Sequence, residues 1–370
     1  MAVFICILTE SLPAGLLPQI ALDLGITEAL AGQWVTLYAV GSLVAAIPLT
    51  AATRGWRRRP LLLMCILGFL VFNTVTALSS VYMLTLAARF FAGVSAGVLW
   101  GMTAGYARRM VPDVLKGRAM AVAMAGTPLA LALGVPVGTF FGSYMGWRFI
   151  FAAVSVLTAA LILWVLWKLP DYAGEPAGGQ LPLHKVFLIP GVRPILFVVV
   201  AWVLAHNILY TYIASYLAGT SLAQRVDLVL LIFGITSVAG IWITGMLIDR
   251  FLRSLVLISI GGFALVSAAL GSGTDQPAVI ILGVTAWGLT FGGAATLLQT
   301  AIAQAGGQSA DIAQSMLVTA WNLAIGGGGI IGGFLLEWFG AGSLPGSLFI
   351  LLLPALLITW LARKHGFPSG

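Results

Sequence analysis

Glu10, Arg89 and His206 carry chemistry that is out of place in their surroundings. Each lies in an apolar run, respectively "LTESLPAGLLPQIA" (8–21), "ARFFAGVSAGVLWGMTAGYARR" (88–109) and "WVLAHNILYTYIASYL" (202–217). A carboxylate in an apolar medium is either neutralised by a proton or paired with a cation, because a bare charge there is costly. A group that can do both can exchange a proton for something else. Arg89 costs at least ~2.5 kcal/mol inside a span even on the mildest insertion scale, so it requires a cavity, a carboxylate or backbone carbonyls. Glu10 is its natural partner by charge, either as a proton-exchanging site or as a static pair locking two helices. Histidine titrates near neutrality, so His206 is a second proton-handling candidate; the plainer reading is a histidine satisfied within a helix bundle.

Around these lie neutral polar groups. Tyr210 is four residues from His206 and shares a helix face with Trp202, and Asn207, Tyr212 and Tyr216 add hydrogen-bonding groups. Aromatic faces with a few fixed polar atoms suit a small-molecule wall. Trp100, Gln299, Gln314 and Asn322 are further candidates for such a cavity, each as able to bridge helices as to touch a ligand.

These groups must be positioned by membrane helices. Of 370 residues, 60% are hydrophobic and only 8% charged, against about a quarter charged in soluble domains. Apolar runs long enough to cross a bilayer fall at 2–22, 30–52, 60–79, 81–106, 118–143 and 147–168, then at 194–217, 228–248, 254–272, 277–302, 311–336 and 342–362. The expectation is an all-α polytopic membrane protein, twelve spans in two pseudo-symmetric six-helix bundles. An N-terminal bundle (1–168), a Gly/Pro-rich cytoplasmic linker (169–193) and a C-terminal bundle (194–370) follow. The N-terminus lacks a basic region and a small-residue cleavage site, so no signal peptide is expected.

Basic residues set the expected orientation. Fifteen of the 18 lie in loops and termini on one side, including Arg54, Arg57, Arg58 and Arg59, and only Arg148 and Arg225 lie opposite. Both termini are therefore expected in the cytoplasm. The same asymmetry accounts for the net charge of +7 without nucleic acid. Cys6 and Cys65 read as core residues, and no His/Cys spacing suggests a metal. "GGGG" (326–329) lacks the Lys-Ser/Thr of a phosphate loop, and no catalytic grouping marks an enzyme. The two halves repeat: "TRGWRRRPL" (53–61) and "DRFLRSLVL" (249–257) are offset by 196 residues, and that offset carries Glu10 onto His206. Such a repeat builds carriers that expose a midplane site alternately to either side.

The loop repeat follows the signature G-x-x-x-D-R-x-G-R-R-x-x-L. Gly245, Asp249, Arg250 and Arg253 match it in the second half; Arg54, Arg57, Arg58 and Leu61 match in the first, where Leu49, Thr53 and Trp56 replace the glycine, aspartate and second glycine. Span five, "GTPLALALGVPVGTFFG" (126–142), carries a Gly/Pro motif through Gly134, Pro136 and Gly138, with departures at Val135 and Thr139. With Arg89 in span four and "TESLPAGLLPQIA" in span one, the whole chain resembles the major facilitator superfamily, specifically its twelve-span drug:proton antiporter branch. The resemblance implies secondary active export of a small organic molecule, a drug-like compound, sugar or nucleoside, in exchange for protons. Proton-coupled import of a polar solute and a non-transporting scaffold or receptor are the alternatives. It implies gating by the arginine loops, and no cofactor beyond the proton gradient.

In this reading Glu10, Arg89 and His206 handle protons, while Asn207, Tyr210, Gln299, Asn322 and Trp100 contact substrate. Pro13 and Pro18 loosen helix one and free carbonyls, and Gly134, Pro136 and Gly138 permit a bend and a close helix contact. The expected partners are the lipid bilayer, protons and a small molecule. The expected setting is a monomer in the bacterial inner membrane.

Overall fold

An apolar run in lipid satisfies its backbone internally only as a helix, and the elements follow from that constraint. The computed structural model describes residues 1–46, 48–53, 55–112, 115–174, 183–272 and 276–367. Arg54 and linker residues 175–182 lie outside the described residues. The chain divides into two compact units, Met1–Gly178 and Gly179–Gly370.

The first unit holds six spans. They are α1 (Ala2–Leu24), α2 (Glu28–Ala46) with a short α3 (Pro48–Ala52), α4 (Arg58–Leu78), α5 (Tyr82–Arg109), a composite fifth span and α9 (Trp147–Lys168). The fifth span strings α6 (Lys116–Met124), α7 (Gly126–Leu129), a π turn (Ala130–Gly134) and α8 (Val135–Met145). The wide turn sits just before Pro136, which has no N–H to offer the preceding turn. The bend expected around Gly134 and Pro136 is thus a π turn.

The second unit begins with α10 (Leu183–Phe187) and α11 (Val192–Thr211), which breaks at Tyr212 (φ −107°, ψ 23°) before α12 (Ile213–Leu217). Then come α13 (Val226–Gly271), α14 (Pro277–Gly292) with α15 (Ala294–Gly306), α16 (Ala310–Phe339) and α17 (Ser343–Leu361). Helix α13 has 46 residues, about 69 Å at 1.5 Å per residue, more than twice the ~30 Å hydrocarbon core. It bends at Phe251 (φ −130°, ψ 26°) and so supplies two spans. The apolar runs 228–248 and 254–272 predict a loop at 249–253. The segment "DRFLRS" contains no glycine or proline to end a helix, and the reversal is taken at one residue instead. Among the described residues, eleven long apolar helices, one of them counted twice, make twelve spans.

Glycine seams fix which helices touch. A Cβ on Gly97 of α5 would lie 2.5 Å from the Ser42 carbonyl oxygen of α2 and 2.9 Å from the Ala45 Cβ. On Gly93 or Gly41 of the same seam it would meet the carbonyl of Tyr38 or Phe90. Gly240 of α13 and Gly292 of α14 stand in the same relation to Leu289 and Ser237 in the second unit. The fifth span packs on α1: a Cβ on Gly134 would lie 2.9 Å from Leu8 Cδ1, and on Gly138 2.5 Å from Leu12 Cδ2. The Gly134/Gly138 motif therefore receives the helix that carries Glu10.

Candidate functional site

Proline creates the first feature of the site. Helix α1 runs unbroken through Pro13 and Pro18. Pro13 has no N–H for the carbonyl four residues earlier, which leaves Thr9 O without a helical donor. Arg89 Nη2 supplies one at 2.6 Å. The Arg89 side chain is 0% exposed. Its Nε lies 3.5 Å from Trp34 O, and its guanidinium sits 5.1 Å from the centre of the Tyr38 ring and 5.7 Å from that of Phe151. Aromatic faces attract a cation, so Arg89 is held by carbonyls and rings. Nη1 has no hydrogen-bond partner among the described residues.

Glu10 follows Thr9 directly. It is half-buried, and no ion pair joins it to Arg89 within 4.0 Å. The direct pair suggested by charge is absent in this conformation; the two interact only through the longer-range electrostatic field. Two neighbours brace this stretch of α1. Asn73 of α4, 0% exposed, donates from Nδ2 to Thr9 Oγ1 at 2.9 Å. Tyr38 of α2 donates to Cys6 O at 3.0 Å. Trp100 of α5 is half-buried, within interaction range of the Cys6 thiol.

The second unit gathers rings around His206. Phe291 of α14 lies parallel to the imidazole, 3.5 Å between centroids and 4° between planes. Tyr210, Phe233 and Trp287 stand 5.3, 5.6 and 5.4 Å away. The Trp287 indole Nε1 donates to His206 Nδ1 at 3.2 Å. Trp202, on the same face of α11, meets Phe291 edge-on at 6.0 Å. The face expected from Trp202, His206 and Tyr210 is present, and it is packed aromatic on aromatic.

The other candidates disperse. Asn207 and Asn322 are buried and each donates back to its own helix, to Val203 O and Val318 O, both at 2.9 Å. Gln299 is exposed, and its backbone oxygen takes Gln314 Nε2 at 2.8 Å. Tyr212 donates to Gly329 O at 2.7 Å and Tyr216 to Leu270 O at 3.0 Å, so both tie helices together. The glycine run of α16 is a packing surface, since a Cβ on Gly328 would fall 2.6 Å from Asn207 Cβ.

The arginine loops form two clasps. Arg57 Nε donates to Asp171 Oδ2 at 2.5 Å, and the Arg59 backbone N–H donates to Asp171 Oδ1 at 3.1 Å. Arg58, nearly buried, donates its backbone N–H to Tyr172 O at 2.9 Å. Arg59 Nη2 reaches Leu166 O. Tyr106 and Arg109 at the end of α5 donate to Pro170 O and Ala173 O, each at 2.6 Å. The acid missing from the loop at Thr53 is thus supplied by Asp171, beyond α9. The Arg57 guanidinium beside it holds the Asp171 carboxyl below the usual carboxylate range. In the second unit Arg253 donates to Thr359 O, Trp360 O and Phe367 O at 3.0, 2.7 and 3.2 Å. Arg253 is Arg57 displaced by 196 residues, and Phe367 is Asp171 displaced by the same amount. Asp249 and Arg250 are exposed.

Sequence reasoning passed over Asn73, Thr9, Asp171 and Trp287. Thr9 is legible as the residue four before Pro13, and Asn73 as a lone amide in "GFLVFNTVTAL". Asp171 and Trp287 carry no comparable local signal.

Twelve spans in two six-helix units, a buried arginine held on a backbone carbonyl of the first span, and arginine clasps at matching loops are the frame of a multi-pass membrane transporter. A family model described as the Major Facilitator Superfamily matches residues 1–310, and the chain belongs to that superfamily. It is 30% identical over 358 residues to the purine ribonucleoside efflux pump NepI of Shigella sonnei, covering 95% of this chain and 90% of that protein. The NepI of Escherichia coli K12 is also 30% identical, over 360 residues, with the same coverage. Among solved structures, the nucleoside transporter NupG superposes with a TM-score of 0.74 at 14% identity, covering 98% of each chain. The human organic anion transporter MFSD10 does so at 0.70 and 18%, covering 97% of this chain and 98% of that one. These two likenesses show the fold.

Proposed function

We propose that this chain exports a small organic molecule of the purine ribonucleoside class in exchange for protons, as a monomer in the bacterial inner membrane with both termini in the cytoplasm. The cargo is moved unaltered, with the proton gradient as energy source and no bound cofactor. The observation that carries the reading is Glu10. It is a half-buried carboxylate without an ion pair to the buried Arg89, whose Nη1 is open. Protonated, Glu10 is neutral and Arg89 stays on the Thr9 carbonyl. Deprotonated, it offers Arg89 Nη1 a charged acceptor, so loss of the proton moves α1 against α5. Pro13 supports this by making Thr9 O depend on an external donor. Efflux and the cargo class are supported by the NepI relatives, whose coverage is nearly complete. Trp100, Asn207, Tyr210, Gln299 and Asn322 remain the candidate cargo contacts, and the arginine loops the candidate gates.

Proteoliposome counterflow with purine ribonucleosides, pentoses and cationic drugs tests the cargo. Uptake of labelled purine ribonucleoside against an internal pool is expected, with little for the others. Substrate-driven proton release from detergent-solubilised protein tests the coupling. It is expected in the native chain and lost in Glu10→Gln; undiminished release in that variant moves the proton site elsewhere.

A further inference from the structure

The Trp287 indole N–H can only donate. The His206 Nδ1 that meets it at 3.2 Å must therefore present a lone pair, which leaves the ring proton on Nε2. Protonating the ring would set a donor against a donor with both groups buried, Trp287 at 0% and His206 at 8% exposure. The stacked Phe291 face attracts a cation, but weakly and without direction.

Among the described residues of the second unit, no charged group is found at His206. The rings that face His206 are Tyr210 from its own helix, Phe233 from α13, and Trp287 and Phe291 from α14, and Tyr210 is the one titratable group among them. Helices α14, α15 and α17 contain no Asp, Glu, Lys or Arg. The charged residues of α16 are Asp311 and Glu337, at its ends, and Arg193 lies at the opposite end of α11 from His206. On α13 the nearest charge in sequence to Phe233 is Asp227, about 9 Å away along the axis at 1.5 Å per residue.

Resting on the export reading above, we propose that Trp287 locks His206 as the neutral Nε2–H tautomer and that this N–H is a fixed donor to an acceptor atom of the cargo, a ring nitrogen or an oxygen of a nucleoside. Among the described residues Nε2 forms no hydrogen bond, and it is not one of the sealed, unpartnered side-chain atoms, so the remaining exposure of His206 leaves this N–H able to meet an acceptor from outside the bundle. An aromatic wall with one directed donor reads a flat heterocycle by shape and one acceptor. His206 then sets specificity, in place of the titrating role its residue type suggests, and proton exchange is left to Glu10.

The tautomer is tested without cargo. The chain has three histidines, His184, His206 and His365, so nitrogen NMR of histidine-labelled protein in lipid nanodiscs resolves them, with His206→Gln giving the assignment. The neutral Nε2–H signature is expected unchanged from about pH 5.5 to 8, and in Trp287→Phe, which removes the indole donor, the Nδ1–H tautomer is expected to appear beside it. A native resonance that titrates in that range, or that shows Nδ1–H, overturns the lock. Adenosine or inosine is then added, and the Nε2 resonance is expected to shift. No shift while counterflow of the same compound proceeds overturns the donor role. Absence of nucleoside counterflow instead refutes the cargo reading and leaves the lock to be judged by the titration alone. In counterflow, His206→Phe keeps a stacking ring and is expected to raise KM about tenfold, the worth of one hydrogen bond, with turnover and pH profile unchanged. His206→Gln restores an N–H and is expected to recover most of that loss. A changed pH profile in His206→Phe overturns the assignment.

Discussion

Substituting Gly97 by alanine isolates the seam between α2 and α5. The added Cβ would lie 2.5 Å from Ser42 O, 2.9 Å from Ala45 Cβ and 3.2 Å from Ala46 N. Ordinary contact begins near 3.4 Å, so the carbonyl must retreat by about 0.9 Å. The atoms in the way are backbone and a Cβ, which cannot rotate aside, so the helices themselves must part. Overpacking of this kind costs about 1–3 kcal/mol, and the rigidity of the obstacle puts Gly97→Ala in the upper half, about 2–3 kcal/mol. For a unit of this size that is a melting point lower by roughly 4–12 °C. Function should suffer with stability, because α5 carries Arg89 and α2 carries the Trp34 carbonyl and Tyr38 ring that hold it. The assay is thermal unfolding in one detergent, followed by nucleoside counterflow. Gly219→Ala, whose Cβ would meet nothing within 4 Å, is the control and should melt with the native protein. A Gly97→Ala protein that melts within a degree of native and exchanges cargo normally would refute the argument that a carbonyl-to-glycine contact sets the helix spacing.

Pro13→Ala should return a helical donor to Thr9 O, raising stability by roughly 1–3 kcal/mol while slowing exchange; melting and turnover moving in opposite directions is the signature. Asp171 gives a pH prediction. Its carboxyl lies below the usual range because Arg57 stabilises the charged form, so the clasp contributes fully above the unfolded value of about 3.9 and is lost as pH falls through the lower folded value. Amide protection at Arg58 and Arg59, relative to the intrinsic exchange rate, should be high at neutral pH and fall only below about pH 4, whereas Asp171→Asn should lower it at neutral pH, where the native carboxyl is charged. Arg253→Ala removes the donors to three carbonyls, and faster amide exchange confined to 359–367 is expected.

Which parts were legible depends on the range of the physics. Span positions followed from apolar run length, because lipid leaves the backbone no alternative to the helix. The single bend at Phe251 did not, since the run lengths on either side are the same with a loop or without one. At the site, Glu10, Arg89 and His206 stood out because a polar group among apolar neighbours is a local anomaly. Their partners did not stand out. Asn73 and Trp287 meet Thr9 and His206 across 64 and 81 residues, and such pairings arise from packing. Asp171 is the clearest case: the repeated loop signature drew attention to the acid absent at Thr53, yet its replacement comes from 114 residues beyond Arg57.

The bend at Phe251 sets the mechanics of the second unit. Where a span is followed by free loop residues, its end can tilt while its neighbour stays still. Here the backbone passes from one arm of α13 to the other with a single non-helical residue between them. Tilting either arm must swing the other or open that elbow, so these two spans are geared together, and Phe251 is the bearing on which they turn.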